Sequence, residues 1–126
     1  MHKVAEAIGY VLYAVASADK RVFEEEKQVV DLYLRENLKS LARQEDPSGT
    51  KSVEIILKKM EFLLHEKMKS EKAFQIFSEL YIADKKLFSA EIKQLIMDLC
   101  IKSAVAVNRM NKSELVILSQ IEILMK

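Results

Sequence analysis

Almost nothing in this chain interrupts a helix. Its 126 residues include two glycines, one proline, one cysteine and no tryptophan. So little turn chemistry leaves no room for the many tight turns of a sheet protein, and the expected fold class is all-α, with long helices and short loops. A lone cysteine, Cys100, cannot close an internal disulfide, which fits a reducing compartment, and the expected location is cytoplasmic. The chain also lacks an excess charge. Twenty basic residues stand against 19 acidic ones. The two signs are interspersed rather than gathered along one helix, so nucleic acid is not an expected partner.

What is present is apolar periodicity. Half the residues are hydrophobic, enough at this length for one compact core without disulfides or metals, and a single domain over 1–126 is expected. The opening Met1-His2-Lys3 and the following apolar run resemble a secretory signal ending at Ala16-Ser17-Ala18. Glu6 interrupts that run, however, and the uncharged stretch to Ala18 is shorter than the ~20 residues of a membrane span. The expectation is a first helix inside the domain and no membrane insertion.

The most informative feature is an internal repeat. Ala18-Asp19-Lys20-Arg21-Val22-Phe23-Glu24-Glu25-Glu26 returns as Ala83-Asp84-Lys85-Lys86-Leu87-Phe88-Ser89-Ala90-Glu91. The match extends outward. A first helix over about 4–18, with Val4, Ile8, Val11, Leu12 and Val15 in one stripe, has its counterpart from Ser70. There Ala73, Ile76, Phe77 and Leu80 take the places of Ile8, Val11, Leu12 and Val15. A second helix over about 24–42 carries Val30, Leu34 and Leu41, matched by Leu95, Leu99 and Ala106. The pattern predicts two helical hairpins, at about 4–42 and 70–106, within six to seven helices.

Between the repeats, residues 43–51 are polar, hold Pro47 and Gly49, and read as the main surface loop, tolerant of insertion or nicking. A further helix is expected from near Ser52, with Val53, Ile56, Leu57, Met60 and Leu64 inward. It breaks or bends near Lys69-Ser70, where Ser70 can cap its successor. After repeat 2, Asn111 and Glu114 stand at capping-box spacing. The last helix, 111–125, is apolar on more than one face through Leu115, Val116, Ile117, Leu118, Ile121, Ile123, Leu124 and Met125. That places it at the centre of the core or on a homodimer surface.

The repeated acidic turn copies the second half of a calcium-binding EF-hand loop, which ends on a bidentate Glu. With Asp19 at position five and Glu26 at position twelve, positions one and three fall on Val15 and Ser17, or on Leu80 and Ile82 in the second copy. Lys20 and Lys85 replace the turn glycine. The ligand count excludes an EF-hand. The favoured reading is structural: Asp19 and Asp84 satisfy backbone donors at the turns, and Glu26 and Glu91 face the positive end of the next helix dipole, each worth ~0.3–2 kcal/mol. The alternative is a hard divalent cation held by oxygen ligands converging from both turns.

Ala-Asp, a short turn, an aliphatic residue and a helix-opening Glu, flanked by amphipathic helices and used twice, resemble the TerB-like family of tellurite-resistance proteins. The likeness spans the first helix to about Glu114. Lys20 and Lys85 stand where that family has Gly, and Phe23 and Phe88 where it has a Ser or Thr cap. The resemblance implies an all-helical, single-domain bacterial protein of a stress-associated class, with Asp19, Glu26, Asp84 and Glu91 as the acids that would hold a metal.

The remaining candidates read as ordinary structure. His65 and His2 have no ligand partner at helical spacing. Cys100 lies among Leu95, Ile96 and Leu99 and reads as a small buried hydrophobe. Phe23 and Phe88 read as core plugs beside the turns. Lys58-Lys59 and Lys85-Lys86 read as solvated faces, and Gly9 and Gly49 are too isolated to cradle phosphate. No nucleophile and base are paired by any motif, so an enzyme is not expected. The expected function is a non-enzymatic module that binds a protein partner, with a divalent-cation sensor or buffer as the alternative and no cofactor otherwise.

Overall fold

The structure, a computed structural model, describes residues 3–18, 23–37, 46–105 and 112–126, with the side chains of 23–26 outside the description. The described residues form six helices: α1 (Lys3–Ala16), α2 (Phe23–Glu36), α3 (Thr50–His65), α4 (Ser70–Ala83), α5 (Ala90–Val105) and α6 (Lys112–Leu124). A single 3₁₀ turn, Lys85–Leu87, separates α4 from α5. The all-α expectation holds. No helix among the described residues is long and apolar enough to cross a membrane.

The core is organised around α1. Apart from Lys3 and Glu6, which with Tyr10 form a narrow, partly exposed edge, this helix carries no charge, and a helix so nearly apolar must be covered on almost every side. Val4, Ala5, Ala7, Ile8, Gly9 and every residue from Val11 to Ala16 are buried. The expected single stripe is therefore too narrow. α1 packs against α3, α4, α5 and α6, while α2 closes over α5 and α3. At Gly9 the approach of α3 is closest: a Cβ there would lie 2.7 Å from Lys59 Cβ and 3.3 Å from the Ile56 carbonyl oxygen.

The two repeats share several of their buried positions. Ile8 and Ala73, Leu12 and Phe77, Val30 and Leu95, and Leu34 and Leu99 are buried as matched pairs. Val11 and Val15 are buried, whereas their counterparts Ile76 and Leu80 are half-buried, because α4 lies further out than α1. Leu41 and Ala106 lie outside the described residues. The repeats meet first helix on first helix (α1 with α4) and second on second (α2 with α5), while α1 packs as closely on α3, which belongs to neither repeat.

The connections are more ordered than their composition suggests. Residues 43–45 of the expected surface loop lie outside the described residues, but Asp46 and Gly49 are buried. The Asp46 carboxylate accepts hydrogen bonds from the Ser52 N–H at 2.9 Å, the Ser52 hydroxyl at 3.1 Å and the Lys51 N–H at 3.4 Å. This satisfies orphan donors at the start of α3. Gly49 supplies the left-handed φ of 77° at the entry, and the helix begins at Thr50, earlier than expected. Partial desolvation would raise the Asp46 pKa, but the hydrogen bonds from Ser52 and Lys51 outweigh it and hold the carboxyl below its usual value.

Between α3 and α4 the chain breaks rather than bends. Lys67 adopts φ 55°. The Met68 N–H donates to Leu63 O at 3.1 Å and the Lys67 N–H to Leu64 O at 3.0 Å. This is a Schellman motif, with Met68 and Leu63 sharing the small apolar cluster of Tyr13, Ala14 and Ala73. Ser70 does not cap α4, whose N-cap is Lys69 without a side-chain bond. Its hydroxyl instead donates to Ala14 O of α1 at 2.5 Å. The Tyr13 hydroxyl donates back to Met68 O at 2.7 Å, so the turn is tied to the end of α1. At α5, Ser89 is the cap, accepting from the Ile92 N–H at 3.2 Å.

Three outcomes follow. Gly9→Ala gains helix propensity of about 1 kcal/mol but forces α3 away at a cost of about 1–3 kcal/mol; urea denaturation should show net destabilisation. Lys67→Gly removes the left-handed penalty of an L-residue at an exposed site and should stabilise by about 1 kcal/mol in the same assay. Asp46 has a depressed folded pKa, so its contribution is present above the unfolded carboxylate value and is lost as pH falls through the folded one. Asp46→Ala should lower the melting temperature at pH 7, with the difference from the parent shrinking as pH drops below 3.8.

Candidate functional site

The four acids of the repeated turn divide by what the structure describes. Asp19 lies outside the described residues, and Glu26 sits on α2 with its side chain outside the description. Asp84 follows the last residue of α4 at φ −142° and ψ 55°, and makes no side-chain cap hydrogen bond. The backbone holds the turn, with the Leu87 N–H donating to Asp84 O and the Phe88 N–H to Lys85 O, each at 3.0 Å. The Asp84 carboxylate pairs with the Lys3 ammonium, joining the start of α1 to the end of α4. The expected capping role of Asp84 is thus replaced by an ion pair between helices. Glu91 is exposed in the first turn of α5, where the helix dipole favours it.

A cation arriving at Asp84 would meet the like charge of Lys3. Among the described residues, no group of three or more His, Cys, Asp or Glu side chains is placed to hold a metal ion. His65 is exposed. Cys100 is fully buried, and burial pushes its thiol far above the ordinary range, which leaves it an inert part of the core.

Phe88 fulfils the core-plug expectation. It is buried edge-on against Tyr81 at 5.0 Å and Phe77 at 6.3 Å, ring centre to ring centre. Phe23 has its side chain outside the description. Lys85, Lys86 and Lys58 are exposed as expected, but Lys59 is not a solvated charge. Its ammonium lies 5.1 Å from the Tyr10 ring centre, 5.5 Å from that of Phe62 and 3.5 Å from Glu6 Oε1. Its stem fills the α1–α3 crossing above Gly9.

Among the described residues Leu32, Phe62, Ile82 and Leu87 are exposed singly on different elements, and two larger surface features stand beside them. One is a cleft of about 660 Å³ where α1 ends against the α3–α4 turn, lined by Tyr13, Ala16, Leu64, Met68, Lys67 and Lys69 among others. The other is on α6. Ile117, Leu118, Ile121 and Met125 are buried, yet Leu115, Val116 and Ile123 are 51%, 50% and 70% exposed. Both faces of this helix are apolar, as its sequence suggested, and only one is covered among the described residues. Ile101 and Val105 near the end of α5 are also exposed. Sequence reasoning did not single them out, because an apolar residue on a core helix carries no mark of the side it faces.

Comparisons with protein-family models, with curated proteins and with solved structures gave no significant match in any of the three. Nothing in these comparisons bears on the TerB-like resemblance.

Chelator-stripped protein should melt at the same temperature with and without millimolar calcium, magnesium, manganese or zinc, since a ligand confined to the native state must raise that temperature. A saturable rise that disappears in Asp84→Ala would establish the cation site instead.

Proposed function

We propose that this protein is a non-enzymatic helical interaction module that docks a partner protein on the outward face of α6. The observation that carries the reading is the exposure of Leu115, Val116 and Ile123 on a helix whose opposite face is already buried. Residues 115–121 contain no charge. Exposed apolar side chains grouped on one face mark interaction sites more often than isolated ones do. The stress-response setting, of the tellurite-resistance type and bacterial, comes with the resemblance of the repeated turns to the TerB-like family.

A protein other than a second copy is the favoured occupant. An antiparallel two-fold pairing that laid Val116 against Ile123 across the axis would also bring Lys112 of one copy to within one residue of Lys126 of the other. Like charges at such a position oppose association.

A photocrosslinking residue in place of Ser119, exposed on the same helix, tests the reading in cells producing the full chain. The expected result is one discrete adduct, reduced about tenfold or more in Val116→Glu/Ile123→Glu. Both sites are exposed, so the double variant should keep its melting temperature within a few degrees. An adduct of twice the chain mass would identify a homodimer through the C-terminal helix. Absence of any adduct, or one indifferent to the double substitution, would overturn the proposal.

A further inference from the structure

We draw no further inference here: the strongest candidate, the cleft between the end of α1 and the α3–α4 turn, carries nothing because its Tyr13, Ser17 and Ser70 hydroxyls already donate to backbone carbonyls and nothing in the structure shows what would occupy it.

Discussion

A helix with so narrow a polar edge cannot sit at a surface, and the burial of α1 on nearly every side, all but the Lys3, Glu6 and Tyr10 edge, is the constraint from which the remaining arrangement follows. Covering such a cylinder takes several neighbours, and α3, α4, α5 and α6 each take part of it. A fully buried Val, Leu or Ile contributes about 1.5–3 kcal/mol, and α1 presents Ile8, Val11, Leu12 and Val15 with no accessible surface. Small residues on the same helix, Ala7, Gly9, Ala14 and Ala16, let the neighbouring backbones come close. Gly9 matters most, since Lys59 and the Ile56 carbonyl occupy the space a side chain would need.

The polar contacts reinforce that core at its edges. Ser70 donates to a carbonyl near the end of α1, and Tyr13 donates from α1 to the α3–α4 turn. Lys3 reaches Asp84, and Lys27 of α2 pairs with Glu61 of α3. The Tyr33 hydroxyl donates to Asp98 at 3.2 Å, while the Lys102 ammonium lies 5.1 Å from the Tyr33 ring centre. That contact links α2 to α5. Burial, followed by the nearby negative charge of Asp98, raises the Tyr33 pKa and keeps its proton available for this bond. Exposed ion pairs alone are worth little. Their value here lies in fixing the relative positions of helices already held by apolar contact.

The candidate sites show how differently chemistry and packing register in a sequence. The repeated acidic turn was conspicuous because its letters recur, yet Asp84 spends its charge on Lys3, a residue distant in the chain. The apolar character of α6 was equally plain, but its consequence was not. α1 and α6 are both rich in Val, Leu and Ile on more than one side; α1 is enclosed, while α6 is left half open among the described residues. Nothing in the letters of α6 distinguishes Ile121, which is buried, from Ile123, which is exposed.

The sequence by itself determined the helical class, several of the repeated positions that face inward, and the turn at Lys85–Leu87, because these depend on local propensity and on apolar spacing along one segment. Tertiary structure decided that α1 rather than α6 became the central helix and that Ser70 serves α1 rather than α4. It likewise set Asp84 against Lys3, and Lys59 between two rings. Those outcomes depend on which faces meet, and that is fixed only when several helices compete to cover the same apolar surface at once. Periodicity within one helix gives the direction of its apolar face, but not the neighbour that will cover it.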